Sequence, residues 1–256
     1  MSDSTLAFAF RGEAALVTGA ASGIGRACVE VLIQAGLRVI ALDRDDAVNS
    51  LTQTHTSGAV VAVTSDVTNE DRLSEALSAV NTDGLAYVVN CAGVHGQFSF
   101  DTITADEWHR VLDINLLGAF WASRAAVPYL RTTGFGSIVN VTSIEARQVV
   151  ALINPDATPH YAASKAALAM LTQSMAHSLA RDSIRVNAVA PGFTSTPMAH
   201  GNHGTSELAS QAADRMLIKR YATTREIAEP VAFLLSDSAS YITATTLAID
   251  GGFFVA

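Results

Sequence analysis

Tyr161 and Lys165 stand four residues apart, a spacing that puts both side chains on one face of a helix. A phenol ionises near pH ~10 and is a poor base at neutral pH. A neighbouring ammonium stabilises the phenolate and lowers that pKa, so the pair could move a proton to or from a substrate oxygen. A Tyr and a Lys at this spacing more often form a surface pair, so the spacing alone does not make a site.

The stretch Thr18-Gly19-Ala20-Ala21-Ser22-Gly23-Ile24-Gly25 offers different chemistry. Glycines let a backbone turn tightly against a pyrophosphate, and the N-terminus of a following helix favours the anion. Asp43 is a third candidate. A carboxylate at the end of a second strand can accept hydrogen bonds from both hydroxyls of an adenosine ribose, and it repels a 2′-phosphate. Arg44 follows directly and could hold such a phosphate. The glycine loop carries no basic residue before Arg26, and NAD is preferred over NADP.

These residues need elements to hold them. Short apolar runs predict strands over 14–18, 37–42, 59–63, 86–90, 137–142, 184–190 and 247–249. Helical spacing predicts helices over 24–35, 70–80, 106–130, 161–180, 206–217 and 225–235, with Gly36 and Asn69 as caps. Strands of unbroken apolar character alternating with helices imply a parallel sheet covered on both faces. The expected fold is α/β, a single Rossmann-type doubly wound domain over 1–256 with a substrate loop around 193–220. The glycine loop then joins the first strand to the first helix. Ligands of such sheets bind outside the carboxyl ends of the strands.

With that order in place, the chain resembles the classical short-chain dehydrogenase/reductase family over nearly its whole length. The glycine loop, Thr18 to Gly25, matches the family's Thr-Gly-x-x-x-Gly-x-Gly, with Gly19, Ser22, Gly23, Ile24 and Gly25 at cofactor-binding positions. Asp66 and Val67 match its adenine-side pair after the third strand. Asn90-Cys91-Ala92-Gly93 matches Asn-Asn-Ala-Gly, with Cys91 in place of the second Asn. Asn115, Ser143, Tyr161 and Lys165 fall in the order of its four catalytic residues, and Pro191, Gly192, Thr194 and Thr196 follow the sixth strand in register.

The resemblance implies that Lys165 also holds the nicotinamide ribose and that Asn115 holds a water in a proton relay. It implies that 191–196 covers the nicotinamide, with Thr194 or Thr196 near the carboxamide. Ser143 would polarise the substrate oxygen while Tyr161 removes the alcohol proton as a hydride leaves, or returns it in reverse. The reaction expected is NAD-dependent interconversion of a secondary alcohol, cyclic alcohols and diols included, with a ketone. The alternatives are an NADPH-dependent carbonyl or 3-oxoacyl reductase, a non-catalytic dinucleotide sensor and a dehalogenase-like relative. The filled catalytic positions count against the sensor, and the glycine loop with Asp43 counts against the dehalogenase.

Eighteen positions separate Ser143 from Tyr161, several more than the family usually has. The surplus is expected to bulge as a loop within 144–160 that lines the substrate entrance. Should Ser143 be displaced, Thr142 is the next residue to polarise the substrate. Candidate substrate contacts are His95, Gln97, Glu145, Arg147, Gln148, Asn154 and residues 198–203. Arg147 is expected to meet a protein carboxylate, with Glu145 the nearest candidate. The histidines are too scattered to argue a metal site, and no catalytic metal is expected.

A net charge of −8 and the lack of a basic run argue against nucleic acid as a partner. No apolar run is long enough to span a bilayer, and the N-terminus lacks the pattern of a signal peptide. Two cysteines, Cys28 and Cys91, suit a reduced cytoplasm. The resemblance implies a homotetramer, and the apolar tail 253–256 suits burial between subunits.

Overall fold

The computed structural model describes residues 8–55, 57–96, 100–150, 158–199 and 210–255. Seven parallel strands form one sheet in the order β3-β2-β1-β4-β5-β6-β7. The strands are β1 (Ala14–Thr18), β2 (Arg38–Asp43), β3 (Val60–Thr64), β4 (Leu85–Asn90), β5 (Gly136–Val141), β6 (Ile184–Pro191) and β7 (Thr246–Ile249). Every expected strand is present, shifted by a residue or so at the ends.

The main helices are α1 (Gly23–Gln34), α2 (Ser50–Thr54), α3 (Glu70–Ser78), α4 (Ala105–Leu112), α5 (Gly118–Thr133), α6 (Pro159–Leu179), α7 (Ser210–Asp214) and α8 (Thr224–Leu235). They cover both faces of the sheet, as expected of a doubly wound fold. On one face, Cys28, Val29 and Leu32 of α1 and Ile227, Val231 and Leu235 of α8 form a core with the sheet. On the other, Leu73 of α3, Ala126 and Leu130 of α5 and Met175 of α6 do the same. Parallel strands buried on both sides must be apolar throughout, which explains why β1 and β4 are buried at every residue.

The expected helix over 106–130 is interrupted. A π-helical turn, Asp113–Leu117, lies between α4 and α5. Single π turns widen a helix locally and recur at functional sites. Here the turn carries Asn115, which is fully buried. The short helix α2, between β2 and β3, was not legible in the apolar pattern. No helix is long and apolar enough to cross a membrane among the described residues.

The strand order reverses between β1 and β4. Chain leaving β1 turns to α1 on one face, while chain leaving β4 departs toward the other, which opens a crevice at the carboxyl edge. Register sets the floor of that crevice level: Thr18 pairs with Asn90, and Asn90 with Asn140. The Thr18 hydroxyl oxygen accepts the N–H groups of Cys91 and Ala92 at 3.2 Å each, tying the two departing segments together.

Candidate active site

A cleft of about 420 Å³ runs along this edge, from the glycine loop to Tyr161. At one end, Gly19 adopts a φ of +69°, a left-handed backbone conformation that strains any residue with a Cβ. A Cβ at Gly25 would lie 2.0 Å from the Gly19 carbonyl oxygen, so the first turn of α1 closes onto the loop only because position 25 has no side chain. That first turn carries no acidic residue, leaving its positive end available to an anion. Gly25→Ala is expected to lower stability by about 2 kcal/mol, within the range of overpacking. Its affinity for reduced coenzyme should fall at least about tenfold, because the distorted turn is also the phosphate cradle. Thermal melting and a coenzyme fluorescence titration check both effects; unchanged values in both would remove the steric argument.

Beside the loop, the two oxygens of Asp43 accept the N–H groups of Ala21 and Asp45, each at 2.9 Å. These bonds fix the carboxylate at the end of β2, and each oxygen retains a lone pair. One oxygen of Asp66, Oδ1, accepts both the N–H and the hydroxyl of Thr68, each at 2.9 Å. Its neighbour Ser65 lines the cleft with a buried Oγ that has no hydrogen-bond partner. An orphaned hydroxyl there, a steric cradle at Gly19–Gly25 and a fixed carboxylate at Asp43 fit the phosphates and adenosine of a dinucleotide.

At the other end, Ser143 caps a 3-10 turn, Ile144–Ala146, with its Oγ accepting the Glu145 N–H at 3.1 Å. The same side chain lines the cleft beside the Tyr161 phenol, close enough to oppose the rise in its pKa. The extra residues before Tyr161 therefore do not displace Ser143. Thr142 is used elsewhere, donating its hydroxyl to the Val189 carbonyl at 2.7 Å.

Tyr161 and Lys165 both sit on the inner face of α6, and both are buried. Burial pushes the phenol well above its ordinary value, the Glu145 charge pushes it further, and the Ser143 hydrogen bond opposes them. Burial lowers the Lys165 ammonium to about 8. The expected depression of the phenol by Lys165 is thus absent. The physical reason is that desolvation dominates, and Lys165 Nζ donates to the Val141 carbonyl at 2.9 Å while lying 5.8 Å from the centre of the Tyr161 ring.

Asn115 does not line the cleft. Its Oδ1 accepts the Val94 N–H at 2.8 Å, and its Nδ2 donates to the Val94 carbonyl and the Ser164 hydroxyl at 2.9 Å each. Asn115 thereby pins the segment after β4 to α6 one residue from Lys165. Asn90 is also absent from the lining, contrary to the cofactor contact expected of it. It donates to Ser123 and Asn140 at 2.8 Å each in a buried network beneath the site. Its side chain points into the helix layer because β4 alternates faces, so the cleft receives Cys91, Ala92 and Gly93 instead. The other residues expected to hold a cofactor all line the cleft, from Gly19, Ser22, Gly23, Ile24 and Gly25 through Asp43, Arg44, Asp66 and Val67 to Pro191, Gly192, Thr194 and Thr196.

Among the candidate substrate contacts, His95, Glu145, Met198 and Ala199 line the cleft, whereas Arg147 and Gln148 do not. Arg147 does not pair with Glu145. Its guanidinium lies over the Phe254 ring, 5.1 Å from the centre, and Glu145 faces His95 instead. Gln97, Asn154 and residues 200–203 lie outside the described residues. In the tail, Phe253 is buried within its own chain against Ile144 and Met216, while Val255 is 79% exposed. Two contributors were invisible in the sequence, the Val141 carbonyl and the Ala21 N–H, because backbone groups carry no side-chain signal. Among the described residues, no three His, Cys, Asp or Glu side chains converge to hold a metal ion.

A parallel sheet with a glycine loop at its switch point and a Ser–Tyr–Lys group across the same cleft defines a dinucleotide-dependent oxidoreductase. Comparison with known proteins agrees. A family described as enoyl-(acyl carrier protein) reductase matches residues 19–254. The chain is 35% identical over 253 residues to a 3-oxoacyl-[acyl-carrier-protein] reductase of Thermotoga maritima, covering 95% of this chain and 98% of that one. It is 35% identical over 252 residues to a cis-4-hydroxycyclohexanecarboxylate dehydrogenase of Sinomonas cyclohexanicum, covering 96% and 98%. A solved structure of a putative NAD(P)-dependent gluconate 5-dehydrogenase of Beutenbergia cavernae, with bound NADP, superposes with a TM-score of 0.88 at 32% identity, covering 97% and 99%. The chain belongs to the short-chain dehydrogenase/reductase family, whose members are NAD(P)-dependent oxidoreductases acting on CH–OH groups.

Proposed function

We propose that this chain, as a single nucleotide-binding domain with a substrate loop around 193–220, oxidises a secondary alcohol with NAD and reduces the ketone in reverse. The observation that carries the reading is the shared cleft: Ser143 and Tyr161 meet at one end of it, and the Asp43 carboxylate is fixed at the other. The Asp43 carboxylate at the adenosine end favours a ribose with two free hydroxyls. The glycine loop, Asp66 and the 191–196 segment would hold the dinucleotide, which supplies the hydride acceptor or donor.

Tyr161 is the general acid/base. Its hydroxyl takes the alcohol proton on oxidation and returns it on reduction. Ser143 donates a hydrogen bond to the substrate oxygen, where charge develops. Lys165 holds the ribose side of the site and biases the phenol toward its ionised form once the cleft is filled. Asn115 is a positioning residue that acts through Val94 and α6. A second reading, reduction of a 3-oxoacyl or other carbonyl group with NADPH, draws on Arg44 in the cleft and on the acyl-carrier reductase among the relatives. A homotetramer in the cytoplasm fits the family and the two free cysteines.

Initial rates across a panel of secondary alcohols, with NAD and with NADP, test the proposal through the absorbance of reduced coenzyme. Oxidation with NAD is expected. Turnover confined to NADPH and acyl ketones would favour the second reading, and no turnover at all would refute both.

A further inference from the structure

The substrate end of the cleft holds a pair that the catalytic scheme does not use. His95 Nε2 lies 3.5 Å from Glu145 Oε1, and the His95 ring packs on the Tyr161 ring with centres 4.4 Å apart. His95 follows the segment that Asn115 pins, and Glu145 lies two residues beyond Ser143. The pair therefore borders the place where Ser143 and Tyr161 would receive the reacting oxygen. Its side chains are 20% and 12% exposed, and both line the cleft.

The proton positions follow from the partners. His95 Nδ1 is 2.7 Å from the Gly96 carbonyl oxygen, which can only accept, so Nδ1 carries a hydrogen. In a neutral ring Nε2 would then be an acceptor facing a carboxylate, which is repulsive. One proton must lie between Nε2 and Glu145. Burial alone would lower the His95 pKa, but the Glu145 hydrogen bond and charge raise it overall, in agreement. Among the described residues, Oε2 of Glu145 meets a long contact with the Thr158 hydroxyl, 3.4 Å, which leaves acceptor capacity toward the cleft.

Among the described residues, the Lys and Arg lining the cleft are Arg44 and Lys165, and neither is free to receive an anionic substrate beside this pair. Among the described residues, Arg147 is turned onto Phe254, Lys165 is bonded to the Val141 carbonyl, and Arg44 lies by Asp43 at the far end. The stretches 97–99, 151–157 and 200–209 contain no Lys or Arg.

We propose that Glu145, oriented by His95, accepts a hydrogen bond from a hydroxyl on the carbon next to the reacting carbinol. The substrate is then an uncharged vicinal diol or polyol, and the product an α-hydroxy ketone. This rests on the reading that Ser143 and Tyr161 hold the reacting oxygen. A hydroxyl bonded to a carboxylate is a charge-assisted contact, and an analogue lacking it leaves the carboxylate without that partner.

The test compares kcat/KM with NAD for 1,2-cyclohexanediol, cyclohexanol and 2-hydroxycyclohexanecarboxylate, in the native enzyme and in Glu145→Gln. The native enzyme should prefer the diol to cyclohexanol by roughly 10- to 100-fold, and should disfavour the carboxylate. Glu145→Gln should shrink the diol preference by about tenfold, the loss of charge assistance. Turnover of cyclohexanol with no preference for the diol, a preference unchanged in Glu145→Gln, or a preference for the carboxylate overturns this inference and leaves alcohol oxidation standing. Failure to turn over any alcohol with either coenzyme overturns both.

Discussion

Tyr161→Phe is expected to lower kcat for alcohol oxidation by roughly 1,000-fold, the middle of the range for losing a general acid/base. The substitution removes one oxygen and keeps the ring, so the contact with His95 at 4.4 Å survives. Ser143 loses a partner, but it still accepts the Glu145 N–H. Coenzyme affinity should therefore stay within about threefold, because neither the glycine loop nor Asp43 is touched. The direction of pH dependence follows from the buried phenol. Burial and Glu145 raise its pKa, so the ionised form needed for oxidation becomes more abundant as pH rises. The oxidation rate of the native enzyme should accordingly climb with pH, while reduction, which uses the protonated phenol, should not. Steady-state rates in both directions, with a fluorescence titration of reduced coenzyme, check this. Turnover by Tyr161→Phe within tenfold of native would show that another group moves the proton.

The second large effect concerns coenzyme choice. The native enzyme should favour NAD over NADP by roughly 100-fold or more in kcat/KM. Hydrogen bonds to a charged acceptor contribute about 1.5–3 kcal/mol each, and the carboxylate also repels a 2′-phosphate. Asp43→Asn should shift the ratio toward NADP by about 100-fold, with Arg44 beside it to meet the phosphate. Asn is chosen because it keeps one acceptor oxygen for the N–H of Ala21 or Asp45, which limits damage to the loop. The double change Asp43→Asn/Arg44→Ala should lose the gain with NADP. Paired kinetics with the two coenzymes decide the matter. A native preference for NADP would overturn the role given to Asp43.

Much of this was readable from residue order. Mostly apolar runs located the seven strands, because a parallel sheet buried on both faces selects for them, most completely in β1 and β4. The glycine loop announced its own geometry, since positions 19 and 25 admit no Cβ. The π turn at Asn115 was hidden, because helical periodicity continues through 106–130 and one extra residue in a turn hardly disturbs it. Glu145 illustrates a different limit. Its neighbour two residues on, Arg147, was the natural partner in sequence, yet the chain folds Phe254 under the guanidinium and His95 against the carboxylate.

The sequence by itself determined the sheet, the position of the dinucleotide loop and the residue types of the site, because these follow from periodicity and from steric rules acting over a few residues. Only the tertiary structure decided which side chains enter the cleft and what charge they carry there. It turned Asn90 into a buried strut and Asn115 into a pin for Val94, and it seated Lys165 on a backbone carbonyl. It also raised Tyr161 where a two-residue argument lowers it. The reason is that desolvation and pairing depend on every element that packs around a group, and Tyr161 meets His95 and Cys91 after β4 and Ser143 and Glu145 after β5.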